Sequence, residues 1–138
     1  MFDHCLYFNT SALARQLERE WTQAFAVFEL TPPQGFTLRA VMDGPGLAQS
    51  QLADALAIAR PTATRVLDGL AAKGLIERRN SERDGREFLI YPTQQALDIR
   101  EALTTASGKV TKRLKKLLGE DSFIETVARV RGVRSALE

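Results

Sequence analysis

Four polar side chains with hydrogen-bond donors cluster at the start of a short predicted helix near the middle of the chain. They are Arg60, Thr62, Thr64 and Arg65. An arginine can hold O6 and N7 of guanine with two hydrogen bonds, so this cluster is suited to contact the edges of bases in duplex DNA. Arg65, one turn inside the helix, is the first candidate for a base contact, and Arg60 is expected to meet phosphate. Pro61 and Thr62 are placed to touch a thymine methyl group.

Two short helices are predicted to hold this cluster. Each has one apolar face, formed by Leu52, Ala53 and Leu56 in the first helix and by Ala63, Val66, Leu67 and Leu70 in the second. Ile58 lies in the turn between them, and Gly74 suits the residue that ends a helix. Two short helices, of which the second has a polar outer face, are typical of a helix-turn-helix.

A predicted β-hairpin follows the second helix. Residues 75–79 and 87–91 are rich in Leu, Ile, Phe and Tyr, which favours strands, and Asp84 with Gly85 favours a turn between them. The hairpin carries four arginines, Arg78, Arg79, Arg83 and Arg86. A basic loop beside such a helix is typical of a wing that contacts phosphate or enters a minor groove. Arg78 and Arg79 have an alternative role, since they can also balance Glu77 and Glu87.

The placement of charge is more informative than its total. The chain of 138 residues has a formal net charge of only +2, which by itself does not predict nucleic-acid binding. Residues 78–86 alone carry a net charge of +2, which concentrates positive charge in the hairpin. A second basic cluster at residues 109–116 is interpreted as the solvated face of a helix.

Together, these motifs resemble those of the MarR family of winged-helix transcription regulators. The residues that carry the resemblance are Leu52, Ala53, Arg60, Pro61, Thr62, Thr64, Arg65, Leu70, Gly74, Leu75, Ile76, Arg78, Arg79, Asp84, Gly85 and Arg86. It covers nearly the whole chain, because a long first helix, a winged helix and two closing helices come in the family's order. It implies a single, mainly α domain with a winged helix-turn-helix DNA-binding lobe at residues 30–93. The wing would have two or three strands, and residues 1–29 and 94–138 would form long N- and C-terminal dimerisation helices.

The resemblance also implies roles for single residues. Arg86 occupies the position at which the family's wing enters a DNA groove. Asp84 resembles the acidic residue that braces a wing arginine, although it can simply form the turn. The family alignment starts a helix after Ala48, where Ser or Thr is usual, whereas chemistry favours Ser50 as the cap, so this boundary stays open. Ala57 stands where relatives often carry Gly, and because a left-handed turn would strain Ala, a right-handed turn is expected.

The terminal helices are predicted to form a homodimer. Residues 4–29 have the pattern of one long helix with a broad apolar arc, which so short a chain cannot bury by itself. In the resembling family, ligands commonly lie between the first helix and the winged lobe. Tyr7, Phe8, Trp21 and Phe36 are therefore candidates for a pocket that takes a small aromatic or otherwise apolar effector, and the alternative is that they form the dimer core.

Cys5 has two interpretations. Redox-sensing members of the resembling family, the organic hydroperoxide regulators, carry a reactive cysteine near the start of the first helix. Alignment on Arg15 places that position near Tyr7, so a buried apolar cysteine is the favoured interpretation. A redox-sensing regulator of the same fold is the alternative. Because Cys5 is the only cysteine, a disulfide within the chain is excluded.

Other classes of protein are disfavoured. His4 is the only histidine, and neither metal-ligand spacing nor a glycine-rich phosphate loop is present, so neither an enzyme nor a cofactor is expected. There is no secretory signal and no run of about 18 apolar residues, so we expect a cytoplasmic protein without a membrane partner. The sequence thus favours a homodimeric transcription regulator, a repressor by resemblance, that binds a pseudo-palindromic operator in double-stranded DNA and is released by an effector. The alternative is a winged-helix module for protein–protein interaction.

Overall fold

Helices and one small sheet make up the chain in the order that the sequence predicts. The structure is a computed structural model and describes residues 1–83 and 85–138. Its elements are α1 (Leu6–Phe25), a short 3-10 helix (Ala26–Phe28), α2 (Pro32–Asp43), β1 (Leu47–Ala48), α3 (Gln49–Ala55), α4 (Arg60–Ala72), β2 (Ile76–Asn80), β3 (Phe88–Pro92), α5 (Gln94–Leu118) and α6 (Glu120–Leu137). The predicted fold class, a mainly α winged helix-turn-helix, is confirmed. None of the described helices is long and apolar enough to cross a membrane.

The sheet has three strands rather than two. The strand order is β1-β3-β2, and both pairs are antiparallel. Leu47 lies opposite Ile90, and the register of the hairpin runs from Ile76 opposite Pro92 to Asn80 opposite Phe88. The sheet therefore ties the segment before α3 to the same hairpin that leaves α4, and this fixes the wing beside the helix-turn-helix.

The core joins the winged lobe to the long helices. Its largest fully buried side chains are Phe25, Leu38, Val41, Leu52, Leu67, Leu70, Ile90 and Leu103. They come from α1 to α5 and from β3, so one apolar cluster spans both parts of the chain. A Cβ atom at Gly35 would overlap the ring of Phe25, and α1 and α2 can approach this closely only because Gly35 has no side chain.

The first helix is shorter than the predicted span of residues 4–29. It gives way to the 3-10 helix, after which Glu29 adopts a left-handed conformation with φ 57°. After this bend, Leu30 lies in the core, where it is 4% exposed. Thr31 then caps the start of α2 with a capping box. Its hydroxyl accepts from the backbone N–H of Gln34, and its own backbone N–H donates to Oε1 of the Gln34 side chain.

The structure shows the conformation of the two positions that depart from the family pattern, Ala48 and Ala57. Helix α3 begins after Ala48, whose N–H donates to Oε1 of Gln51 at 2.8 Å. This is the half of a capping box that the Gln side chain supplies, and the half that a Ser or Thr side chain would supply is missing at Ala48. The expected right-handed turn at Ala57 is wrong, because its φ is 55°. Hydrogen bonds from Ala57 N–H to the Asp54 carbonyl and from Ile58 N–H to the Ala53 carbonyl form the left-handed helix end that normally takes Gly.

Cys5 is exposed, so the expectation that it is buried is wrong for the single chain. It precedes the first residue of α1, and its Sγ accepts from the Phe8 amide at 3.5 Å. The cysteine therefore caps a helix that has no Ser, Thr, Asp or Asn at that position. His4 is exposed beside it.

Candidate DNA interface

Helix α4 is held in the lobe by one face and offers the other to solvent. Ala63, Leu67 and Leu70 are buried, whereas Arg60, Pro61 and Arg65 are exposed. The helix ends at Ala72, and Gly74, two residues later, has φ 74° and donates its N–H to the Ala71 carbonyl. The predicted helix-turn-helix and its terminating glycine are thus present, and the polar cluster lies on the outer side of the second helix.

The outer side chains of α4 differ in how far they are already hydrogen-bonded. Nη2 of Arg65 lies 3.4 Å from Oγ1 of Thr62, a long contact that leaves the guanidinium exposed. The hydroxyl of Thr64 is held more firmly, because it donates to the Arg60 carbonyl at 3.1 Å and accepts from Nε2 of Gln49 at 2.7 Å. Arg65 therefore keeps the donors that sequence analysis assigned to it, whereas the single donor of Thr64 is used within the protein.

A cavity of about 440 Å³ separates the start of α4 from the wing. It is lined by Gln49, Ser50, Arg60, Arg86, Glu87 and Phe88. Arg60 and Arg86, predicted from different elements, are therefore brought to the same surface. Ser50, the alternative helix cap, instead turns its hydroxyl to Oε1 of Glu87 at 3.2 Å. Among the described residues that line the cavity, Glu87 is the one carboxylate and is hydrogen-bonded to Ser50, and Arg60 and Arg86 are the cations.

The remaining arginines of the hairpin have different surroundings. Arg78 forms an ion pair with Asp68 of α4 at 2.7 Å, rather than with Glu77 or Glu87. Arg79 pairs with Glu77 at 3.2 Å, one of the partners considered for it, and lies 4.0 Å from the centre of the Tyr91 ring. Arg83 is exposed in the loop. Asp84 lies outside the described residues, so its predicted roles as brace and as turn residue stay predictions.

Comparison with known proteins identifies the family. The sequence profile of the MarR family matches residues 28–87. A putative transcriptional regulatory protein for the hcr operon of Thauera aromatica is 33% identical over 143 aligned positions, which cover 86% of this chain and 85% of that protein.

The chain belongs to the MarR family. It is a transcription regulator, as its relatives are, and not an enzyme. The S. aureus MepR–DNA complex has the same fold, with a TM-score of 0.87 at 24% identity over 97% of this chain and 99% of MepR. The PcaV regulator of Streptomyces coelicolor, solved with its natural ligand, aligns over 100% of both chains with a TM-score of 0.82 and 25% identity.

The four aromatic residues predicted to line a ligand pocket separate into two pairs in this MarR-family chain. The rings of Trp21 and Phe36 lie 6.1 Å apart at the junction of α1 and α2, beside a cavity of about 320 Å³. Tyr7 and Phe8 are exposed at the other end of α1, roughly 20 Å away along the helix at 1.5 Å per residue. The structure therefore brings Trp21 and Phe36 together and leaves Tyr7 and Phe8 outside any pocket formed with them.

Two residues beside this junction were missed by sequence analysis. Ser107 of α5 is buried, and its Oγ accepts from Nε1 of Trp21 and from Nη1 of Arg39, each at 3.0 Å. The guanidinium of Arg39 also lies 5.6 Å from the centre of the Phe36 ring. No local pattern predicts these contacts, since Trp21 and Ser107 are 86 positions apart in sequence. The cluster connects α1, α2 and α5, and so connects the long helices to the winged lobe.

Proposed function

We propose that this MarR-family chain is a homodimeric repressor that binds a pseudo-palindromic operator and is released by a small apolar effector. The observation that carries the proposal is the shared surface of Arg60 and Arg86, which line one cavity between α4 and the wing. A recognition helix in the major groove and a wing against the backbone or the minor groove need cations on one side of the lobe. Arg65 on the exposed face of α4 supplies the first candidate for reading a base.

The dimer is supported by apolar surface that the single chain leaves uncovered. Helix α6 exposes a series of apolar side chains at intervals of three or four residues, namely Ile124, Val127, Val130, Val133 and Leu137. At the start of α1, Leu6, Tyr7, Phe8 and Leu13 are exposed as well. Burying such stripes against a second copy removes apolar surface from water, and two-fold symmetry then sets two α4 helices about 34 Å apart, one helical turn of DNA.

Effector release is supported by the junction of α1, α2 and α5. The cavity beside Trp21 and Phe36 lies where α1 meets α2 of the winged lobe, and the PcaV regulator was solved in complex with its natural ligand. A ligand bound there changes DNA affinity only if it favours one relative position of the two lobes over the other. Trp21 is the only tryptophan of the chain, so its fluorescence reports binding at this junction directly.

One experiment tests the assembly, the operator and the effector together. Purified protein is used to select duplexes from a random library, and the selected duplex is then footprinted and the mass of the complex measured. We expect two protected half-sites about one helical turn apart and two chains per duplex. A panel of small aromatic compounds is then screened for quenching of Trp21 and for loss of the complex. A single protected half-site with one chain bound would contradict the proposal.

The redox alternative has one observation in its favour, which is that the thiol of Cys5 is exposed at the start of α1. On that alternative, oxidation of Cys5 rather than a ligand at Trp21 would release the DNA. A substitution of Cys5 separates the two functions, and its expected result is given in the Discussion.

A further inference from the structure

We propose that Thr64 selects a base of the operator through its methyl group and not through its hydroxyl, and that Gln49 is the positioning residue that keeps it so. The inference rests on the proposed placement of α4 in the major groove. Neither the family profile nor the sequence pattern assigns this role, because both leave Thr64 as one of several hydrogen-bond donors.

The hydroxyl of Thr64 has one hydrogen, and that hydrogen is used. Oγ1 lies 3.1 Å from the carbonyl oxygen of Arg60, one turn earlier in α4. A carbonyl oxygen can only accept, so the hydroxyl must be the donor in this contact. Oγ1 also lies 2.7 Å from Nε2 of Gln49, and since the hydroxyl proton is taken, the amide must be the donor there.

Gln49 fixes the side-chain rotamer of Thr64. A threonine in a helix divides its population between two rotamers, because its hydroxyl can bond to the preceding turn in both. Gln49 is the first residue of α3 and approaches Oγ1 from outside α4, so a rotation of Thr64 away from it would break the shorter of the two hydrogen bonds. The contact between α3 and α4 therefore favours one orientation of the methyl group.

Base recognition by Thr64 is limited by these two bonds. A side chain with no hydrogen to give cannot donate to O6 or N7 of guanine or to O4 of thymine. What remains is the methyl group and one lone pair, and the apolar partner that the major groove offers to a methyl group is the C5 methyl of thymine. Thr64 is half-buried beside Arg60, on the side of α4 that faces Gln49, so it is placed to meet a base toward the wing side of the recognition helix.

The test removes single methyl groups from both partners. Wild-type protein first selects its operator from a random duplex library, and each thymine of that duplex is then replaced in turn by deoxyuridine, which lacks only the C5 methyl. We expect wild type to lose about fourfold in affinity at one thymine per half-site, the effect of one buried methyl group. Thr64→Ser should show no loss at that position, because its methyl is already absent. Thr64→Val has no hydroxyl for Gln49 to hold, but the helix itself fixes its rotamer and the side chain carries two methyl groups, so this variant should retain the loss.

Two further variants make the result decisive. Gln49→Ala should reduce the fourfold effect of deoxyuridine without abolishing binding, because Thr64 is then free to change rotamer.

The double variant Arg65→Ala, Arg86→Ala separates a failure of the proposed function from a failure of this inference. If it binds like wild type, α4 does not read the operator and both fail. If that double variant loses binding while wild type shows no deoxyuridine effect, only the inference fails. The inference is also overturned if Thr64→Ser still binds the thymine duplex more tightly than the deoxyuridine duplex while Thr64→Val no longer does. That result would assign the recognition to the hydroxyl.

Discussion

The guanidinium of Arg78 lies 2.7 Å from the carboxylate of Asp68, and this ion pair connects the first strand of the hairpin to the recognition helix. Nη2 of Arg78 also lies 3.4 Å from the Thr64 carbonyl. Asp68 is 60% exposed on a helix proposed to face phosphates, whereas Arg78 is only 21% exposed. The pair therefore neutralises an acidic residue on the exposed side of α4 and holds the wing in a fixed orientation to this helix.

This arrangement predicts that Arg78 does not contact phosphate. In Arg78→Ala the affinity for the operator should fall moderately, because Asp68 is left as an unpaired negative charge. The slope of log affinity against log salt should stay as in wild type. Arg60→Ala, which removes the arginine expected to meet phosphate, should instead reduce that slope by about 1. A reduced slope in Arg78→Ala would assign Arg78 to the DNA backbone after all.

The turn of the helix-turn-helix contains a strained residue that can be relieved. Ala57 has a φ of 55°, a conformation that Gly adopts without steric cost. Ala57→Gly should therefore raise the free energy of unfolding by up to about 1 kcal/mol in urea titrations. The matched control is Ala102→Gly at an exposed position inside α5, where the same substitution should lower stability by about 1 kcal/mol. Destabilisation by both would contradict the left-handed turn.

The contacts of Ser107 predict a role at the junction between the helical region and the winged lobe. Its hydroxyl accepts from both Trp21 and Arg39, so Ser107→Ala leaves a partly buried indole N–H without its partner. We expect a loss of about 1–3 kcal/mol in unfolding free energy and a shift in the emission of Trp21. Thr104→Ala, at an exposed position on the same helix, should change stability by less than about 0.5 kcal/mol. Equal behaviour of the two variants would show that the hydrogen bonds are not formed.

If the role of Cys5 is to cap α1, replacing it by serine should preserve both folding and operator binding. Serine is a preferred helix cap, so Cys5→Ser should fold with at least wild-type stability. Operator binding by both proteins should be unchanged after treatment with cumene hydroperoxide, measured by fluorescence anisotropy. Release of wild type but not of Cys5→Ser would instead establish the redox-sensing alternative.

The local spacing of apolar residues was sufficient to predict the helix-turn-helix. The burial of Ala63, Leu67 and Leu70 follows directly from their spacing along one helix. Local spacing was insufficient where distant segments decide the outcome. Ala57 is left-handed because hydrogen bonds of the turn and the position of Ile58 override its local preference. Gln49, which donates to Thr64, and Asp68, which pairs with Arg78, lie on other elements of the lobe than these two residues, and no periodicity relates them.

Contacts between distant segments also explain why the four aromatic residues of the candidate pocket fall into two pairs. Tyr7 and Phe8 share a helix with Trp21, so their type and their position in the chain could not distinguish them. The approach of α2, which brings Phe36 to Trp21 and Phe25, is a tertiary contact. The exposed state of Tyr7 and Phe8 fits a face that a second copy would cover, which is the dimer alternative considered for them.

The most direct test of the account is operator binding by wild type beside the Arg65→Ala, Arg86→Ala double variant at two salt concentrations. Arg19→Ala, which removes an exposed charge from α1 outside the winged lobe, is the control. We predict saturable wild-type binding to a pseudo-palindrome that weakens steeply with salt, is lost in the double variant and is retained in the control. Binding by the double variant that equals wild type at both salt concentrations would contradict the placement of the DNA interface on α4 and the wing.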